Sequence, residues 1–252
     1  MPPKSKKEAK AKDQAKGKVK DNPKGNPKDK SKEPNSQKPD WPPLRPLIPS
    51  SDLLLTPLLA DQIYLIRNFF TASLCKNYVS FLSSLPLVTT PGRPKKGDAV
   101  RVNDRFQIDD PSFADSLWAI LKHGILSNDS EADTRLWGGK PLGLNPNIRV
   151  YRYSPGQFFA QHYDDSNTLT LHGEACRTTW TLLIYLSTCT GGETVFYPDP
   201  SRENRRPDPV VVVPEMGLAL LHRHGERCLL HEGGEVREGE KWVLRSDLVV
   251  AR

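Results

Sequence analysis

From residue 147 onward, short β-rich runs alternate with turns that contain Gly, Pro and Asp. Eight runs have the β-branched and aromatic content that is typical of strands. They are Ile148–Tyr153, Phe158–Tyr163, Thr178–Leu186, Glu193–Tyr197, Val210–Val213, Leu218–Leu221, Cys228–Leu230 and Lys241–Val250. So many short strands, each followed by a turn, predict two packed antiparallel sheets of the jelly-roll type.

Helices are predicted only before this region. Thr71 is a plausible N-cap for a helix that follows a strand-like run at residues 63–70. Apolar residues recur at helical spacing in this helix, namely Cys75, Tyr78, Phe81 and Leu82. A second helix is predicted at residues 112–123, with Gly124 placed to end it. The expected fold is therefore mainly β with supporting α-helices.

The positive charge of the chain is confined to its beginning. Residues 1–40 contain 13 Lys and 6 acidic residues, whereas the rest has 23 basic and 24 acidic residues. Such a tail buries too little apolar surface to fold, so we expect it to be disordered. It suits a nucleic-acid contact or a nuclear address, and the alternative is a solvating tail with no single partner. The expected organisation is a tail at 1–40, a Pro-rich lead-in at 41–60 and one domain at 61–252.

The cysteines and the hydropathy pattern bear on the compartment. Cys75, Cys176, Cys189 and Cys228 have no paired spacing, which is typical of reduced thiols. The N-terminus has no apolar run of a secretory signal, and no segment has the length of a membrane span. We therefore expect a cytoplasmic or nuclear protein with no membrane association.

Two histidines and an aspartate form the candidate catalytic centre. His162 and Asp164 are two residues apart, so in a strand their side chains point to the same face. His231 follows in a later strand, and a jelly roll brings such strands together. Two imidazoles and one carboxylate on one face of a metal are the facial triad of non-haem Fe(II) oxygenases. A satisfied core histidine and a turn aspartate are the structural alternatives.

The surrounding motifs make the pattern more specific. Tyr153 precedes the turn Ser154-Pro155-Gly156, which we interpret as a hairpin next to His162. A glycine pair opens the strand that carries Thr194, and His231-Glu232-Gly233-Gly234 is followed by Val236, Gly239 and Lys241. Together with His162-x-Asp164, these motifs resemble the catalytic domain of prolyl 4-hydroxylases, which are Fe(II)/2-oxoglutarate-dependent dioxygenases. The resemblance covers roughly residues 60–250.

The resemblance implies a double-stranded β-helix and a role for each matching residue. It implies that His162, Asp164 and His231 are iron ligands and the catalytic centre, and that Lys241 pairs with the distal carboxylate of 2-oxoglutarate. Tyr153 and Thr194 are implied to hydrogen-bond this co-substrate, and L-ascorbate is implied as a reductant. Ordinary strand packing is the alternative for Tyr153 and Thr194.

Arg245 departs from a simple assignment of the anchor. It lies on the same strand face as Lys241, and a guanidinium can hold a carboxylate through two hydrogen bonds. Both are candidates, although the spacing after His231 favours Lys241. Arg177 is a weaker candidate for contact with the substrate or with a group behind the metal ligands. His222-Arg223-His224 offers a second histidine pair, for which a metal site and ordinary structural roles remain alternatives.

These features predict an enzyme. The expected activity is hydroxylation of a C–H bond, first of a prolyl residue or another peptide or protein side chain, with conversion of 2-oxoglutarate and dioxygen to succinate and CO2. An oxidative nucleic-acid demethylase of the same class and a non-catalytic jelly-roll binding module are the alternatives. Arg101 and Arg105, before the strand region, suit an acidic or polar substrate.

Overall fold

The computed structural model describes residues 38–90, 99–127, 129–202 and 204–252. The predicted disordered tail at residues 1–40 therefore lies almost entirely outside the described residues. Within the described ranges, no helix combines the length and the apolar content that a membrane span requires.

The described ranges contain three α-helices, seventeen strands and two short 3-10 turns. The helices are α1 (Ala72–Leu82), α2 (Pro111–Ile125) and α3 (Ser130–Trp137). The strands are β1 (Leu55–Leu59), β2 (Ile63–Ile66), β3 (Val88–Thr89), β4 (Arg101–Val102), β5 (Asp104–Asp109), β6 (Pro141–Leu144), β7 (Asn147–Tyr153), β8 (Phe158–His162), β9 (Thr168–Leu171), β10 (Glu174–Tyr185), β11 (Cys189–Gly191), β12 (Thr194–Tyr197), β13 (Val210–Val212), β14 (Ala219–Arg223), β15 (Leu230–Gly233), β16 (Val236–Gly239) and β17 (Lys241–Ala251). The 3-10 turns are Ser50–Asp52 and Gly225–Arg227.

The strands form two main antiparallel sheets. The larger sheet has the order β1-β2-β14-β10-β17-β7-β5-β3, and β6 and β9 add to it beside β17 and β10. The smaller sheet has the order β13-β12-β15-β8-β4, and β11 and β16 form a separate pair. The predicted fold class, a mainly β jelly roll with supporting helices, is confirmed.

The alternation of side chains along the strands divides the larger sheet into two faces. In β17, Trp242 and Leu244 belong to the apolar core that contains the helices, whereas Val243 belongs to the core shared with the smaller sheet. In β10, Leu182 and Ile184 face the helices in the same way, and Tyr185 faces inward. Lys241 and Arg245 are each two residues from Val243 in β17, so their side chains also line the space between the sheets.

The helices begin where polar side chains cap them. Thr71 Oγ1 accepts a hydrogen bond from Leu74 N, which confirms the predicted start of α1. Asp110 caps α2 in the same way, with Pro111 as its first residue. The prediction that Gly124 ends this helix is wrong, because α2 continues to Ile125. A Cβ on Gly124 would lie 3.3 Å from Ile66 Cδ1, so the glycine permits close packing instead.

Two other local expectations are corrected. The residues Ser154-Pro155-Gly156 do not close a hairpin, because β7 pairs in the larger sheet and β8 in the smaller one. The turn therefore links the two sheets. The strand predicted at Cys228–Leu230 is displaced, since β15 begins at Leu230 and a 3-10 turn precedes it.

Gly217 provides a test of how tightly these layers are joined. It has φ +84°, and its backbone bonds to Phe70 and Tyr185. A Cβ here would lie 2.1 Å from Phe70 O, so Gly217→Ala forces the backbone to move. We expect the substitution to lower the free energy of unfolding by more than about 2 kcal/mol, measured by urea denaturation.

Gly156→Ala is the matched control, because Gly156 has φ +83° but a Cβ there meets nothing within 4 Å. We expect it to cost only the roughly 1–2 kcal/mol of the left-handed conformation itself. Equal losses for both variants would show that the contact with Phe70 is unimportant.

Candidate active site

His162 and His231 are brought together by strand pairing in the smaller sheet. They are direct partners in the antiparallel pairing of β8 with β15, and their ring centroids are 4.2 Å apart. Asp164 lies two residues beyond the end of β8, not within the strand as predicted. Its side chain nevertheless faces the two rings: Asp164 Oδ1 lies 3.9 Å from His162 Nε2, and Oδ2 lies 3.8 Å from His231 Nε2.

The second ring nitrogen of each histidine fixes its orientation. His162 Nδ1 lies 2.8 Å from Ala160 O, and His231 Nδ1 lies 2.9 Å from Leu229 O. Because a carbonyl oxygen can only accept, each Nδ1 must carry the hydrogen. Each Nε2 then presents a lone pair toward Asp164, which is the arrangement that metal-binding histidines require. One nitrogen from each ring and one oxygen of Asp164 lie within 4.8 Å of one another.

Burial sets the charge of these groups. It lowers the pKa of His162 to about 4, with the nearby His231 adding to the effect, and it also lowers the pKa of His231. Burial alone would raise the pKa of Asp164. The guanidinium of Arg245 and the adjacent imidazoles outweigh it and hold the pKa of Asp164 well below its usual range. Near neutral pH the three side chains are therefore two neutral imidazoles and one carboxylate.

Arg245 binds the carboxylate of Asp164 directly. Its Nη1 donates to Asp164 Oδ1 at 3.1 Å, and its Nη2 lies 2.9 Å from Oδ2. Thr181 Oγ1 donates to the same Oδ2 at 2.9 Å. Since Arg245 and Thr181 are on the larger sheet, these bonds join Asp164 to the opposite side of the site. Arg245 is consequently neutralised by a protein carboxylate and is a poor candidate for an anion anchor.

Lys241 has the opposite character. It is only 4% exposed, and its Nζ donates to Gly192 O at 2.7 Å and lies 3.5 Å from Thr194 Oγ1. Within the described residues, no carboxylate lies at ion-pair distance from it. Burial lowers the pKa of Lys241 to about 8, partly opposed by Cys189 and Glu193, so it is mainly protonated at pH 7. A buried cation without a counter-charge is a strong site for an anion.

The other two predicted co-substrate residues are close to Lys241. Tyr153 is its partner in the pairing of β7 with β17, and Lys241 Nζ lies 5.4 Å from the centroid of the Tyr153 ring. Thr194 Oγ1 is 2.7 Å from Tyr185 Oη. All seven predicted site residues line one inner cavity of about 50 Å³. They are Tyr153, His162, Asp164, Thr194, His231, Lys241 and Arg245.

A wider groove opens from the same centre. It has a volume of about 1380 Å³, and His162, Asp164 and Arg245 line both the groove and the inner cavity. The remaining lining is mostly polar and includes Arg101, Arg105 and Arg149, with a smaller apolar part. The centre therefore lies between a narrow inner cavity and an open groove.

His222 lies closer to the centre than its sequence context indicated. It is buried on β14, and its Nε2 lies 3.7 Å from Asp164 Oδ2. His222, Cys228 and His231 form a second group with metal-binding spacing. Two facts count against a metal at this group. His231 Nδ1, which faces Cys228 Sγ at 3.9 Å, already donates its hydrogen to Leu229 O. Burial also raises the pKa of the Cys228 thiol to about 11, which disfavours the thiolate that a metal would bind. The alternation along β14 was the signal available for placing His222 inward.

His224 and Arg177 do not join the centre. His224 is also buried, but its two nitrogens lie 3.0 Å from Thr181 Oγ1 and 2.9 Å from Thr178 Oγ1. Arg177 is exposed and donates to Gly138 O. The predicted histidine pair therefore has one member beside Asp164 and one in a hydrogen-bonded structural position.

Residues 148–246 match the family model of the 2OG-Fe(II) oxygenase superfamily. The resemblance predicted from the sequence is confirmed. The matched region contains every residue that lines the inner cavity. A search of curated proteins found no match for this chain.

Three solved structures illustrate the similarity in fold. A prolyl-4-hydroxylase of Pseudomonas putida has a TM-score of 0.52 at 15% identity, over 76% of this chain and 94% of that one. A prolyl hydroxylase of Trichoplax adhaerens, solved with a hypoxia-inducible-factor peptide fragment, has a TM-score of 0.51 at 16% identity, over 75% of this chain and 84% of that one. The viral collagen prolyl hydroxylase of Paramecium Bursaria Chlorella virus-1 has a TM-score of 0.50 at 16% identity, over 76% of this chain and 90% of that one. At such identities these structures show a shared fold.

The ion pair between Arg245 and Asp164 predicts a large effect on stability. Arg245→Met leaves a buried carboxylate without its partner, and we expect the free energy of unfolding at pH 7 to fall by about 3 kcal/mol. Since the pKa of Asp164 is depressed, this loss should shrink as the pH falls below the ordinary aspartate value of about 4. Urea denaturation at several pH values measures both effects.

Arg67→Met is the control, because Arg67 pairs with Glu215 at the exposed surface. Its cost should stay within about 1 kcal/mol. If Arg245→Met were as mild as this control, Asp164 would not depend on Arg245.

Proposed function

We propose that the protein is an Fe(II)- and 2-oxoglutarate-dependent dioxygenase that hydroxylates a C–H bond of a peptide or protein side chain, with a prolyl residue as the first candidate. One observation carries this proposal. The same cavity contains a His-Asp-His group with both Nε2 lone pairs directed inward and, deeper in, a buried lysine that has no carboxylate partner among the described residues.

The donor set fits the implied metal. His162 Nε2, His231 Nε2 and a carboxylate oxygen of Asp164 would hold Fe(II), a combination typical of sites that leave coordination positions open. When bound, Fe(II) and 2-oxoglutarate would supply the oxidising chemistry. One atom of dioxygen would be inserted into the C–H bond, and the other would enter the succinate that 2-oxoglutarate forms as it loses CO2. Arg245 keeps Asp164 ionised and oriented, as groups behind metal ligands commonly do.

The inner cavity fits the co-substrate. Lys241, with Thr194 and Tyr153 beside it, would bind the distal carboxylate of 2-oxoglutarate. Leu183 and Val243 contribute apolar lining that limits access of water. We therefore assign the anchor to Lys241 rather than Arg245, whose charge is already matched by Asp164.

The outer groove supports a peptide as substrate. Its volume and open shape suit an extended segment that reaches the centre from solvent. The similarity in fold to prolyl hydroxylases from Pseudomonas putida and Trichoplax adhaerens makes proline-containing peptides the first substrates to test.

The activity is tested by succinate formation from 2-oxoglutarate with Fe(II) and ascorbate, with and without proline-containing peptides. We expect wild-type turnover, and we expect His162→Ala to lower it by at least a hundredfold because one of three ligands is lost. Mn(II) affinity, measured by calorimetry, should fall in parallel. His123→Ala, on the exposed face of α2, should leave both values unchanged. Turnover in His162→Ala equal to wild type would contradict the proposal.

The anchor is tested by the affinity for 2-oxoglutarate with Mn(II) bound. Lys241→Ala should weaken this affinity by roughly tenfold or more, because a charge-assisted contact is lost. In the wild type, affinity should fall as the pH rises through about 8, since the lysine with its lowered pKa then loses its proton. If Lys241→Ala were silent while Arg245→Ala weakened binding, the anchor would be Arg245.

A further inference from the structure

The outer groove contains two arginines that the proposed chemistry does not use. Arg101 is on β4 of the smaller sheet, and Arg105 is on β5 of the larger sheet. Both side chains are half-buried and both line the groove beside the metal centre. They consequently reach the groove from strands of two different sheets.

Aromatic rings hold the guanidinium group of Arg101, and Arg105 lies beside one of these aromatic residues in the sheet. The guanidinium carbon of Arg101 lies 4.9 Å from the centroid of Phe159 and 5.8 Å from that of Tyr151. Arg105 is the strand partner of Tyr151 and contacts Gln107 through its Nη2. Such stacking orders a cation without neutralising it.

The positive charge at this position is not balanced by the described residues. Burial lowers the pKa of Arg105, and the nearby positive charges of Arg101 and Arg149 lower it further. Arg149 has Asp247 as partner and Arg245 has Asp164, whereas no described carboxylate pairs with Arg101 or Arg105. Two like charges in a shared groove are unfavourable unless an anion joins them.

We propose that Arg101 and Arg105 form an anion subsite that selects peptide substrates with an aspartate or glutamate near the oxidised residue. This inference rests on the proposed function, since it assigns the sequence preference of the same site. Guanidinium groups are well suited to hold a carboxylate through paired hydrogen bonds.

The rest of the groove favours a peptide over a nucleic acid. Its other lining residues include the neutral amides Asn145, Asn147, Gln161 and Asn167, which can bond to a peptide backbone. Asp165 also lines the groove and would repel a continuous row of phosphates. Two unmatched cations in one groove suit one or two acidic side chains better than a phosphate backbone, whose binding uses many contacts.

The test is selection from a random-sequence peptide library by the full-length protein loaded with Mn(II) and 2-oxoglutarate. We expect the retained peptides to be enriched roughly tenfold in Asp and Glu over the input. The double variant Arg101→Gln/Arg105→Gln should lose this enrichment. The double variant Arg67→Gln/Arg177→Gln removes two exposed arginines outside both cavities and should keep it.

Three results would overturn the inference: no acidic enrichment by the wild type, enrichment that survives in Arg101→Gln/Arg105→Gln, or tighter arginine-dependent retention of a thymidine oligonucleotide. The wild-type selection decides the first outcome even if the double variant fails to fold. Binding of Mn(II) and 2-oxoglutarate is measured on the same samples. If the wild type binds Mn(II) and 2-oxoglutarate but does not select acidic peptides, only this inference fails. If the wild type does not bind 2-oxoglutarate, the proposed function itself is contradicted.

Discussion

The carboxylate of Asp164 is the group on which the site depends. It accepts hydrogen bonds from Arg245 and Thr181 on the larger sheet, and it faces the imidazoles of His162 and His231 on the smaller one. A buried carboxylate is tolerated only when it is paired and hydrogen-bonded. Satisfying Asp164 therefore requires both sheets to take their relative positions, and the same requirement places the Nε2 atoms of His162 and His231 beside it. Stability and the geometry of the centre have a common origin here.

The distribution of matched and unmatched cations divides the site into regions. Arg245 is matched by Asp164 and has a structural role, whereas Lys241 is buried without a carboxylate partner among the described residues. In the outer groove, Arg101 and Arg105 are likewise unmatched by any described carboxylate. A charge inside a cavity that the protein itself does not balance is a favourable place for a ligand of opposite charge. The inner position is consistent with a small dicarboxylate, and the outer one with an acidic group on a larger substrate.

The sequence was most informative where a strand's two-residue period applied directly. Alternation placed Lys241 and Arg245 on one face of β17, and all seven residues selected from the motifs line one cavity. Pairing between distant strands was not accessible in this way, so the link from β7 to β8 was interpreted as a hairpin. The short strands β11 and β16 were missed because pairing rather than composition stabilises them, and α3 was missed because it is short and contains few apolar residues. The proximity of His222 to Asp164 likewise depends on the packing of β14 beside β10.

The most direct test of the proposed centre is a crystal structure of the protein with Mn(II) and 2-oxoglutarate. We predict one metal ion in contact with His162 Nε2, His231 Nε2 and Asp164, with the distal carboxylate of 2-oxoglutarate on Lys241. The ion pair between Asp164 and Arg245 should remain intact. A metal held by His222 and Cys228, or a co-substrate carboxylate bound to Arg245 in place of Asp164, would contradict this prediction.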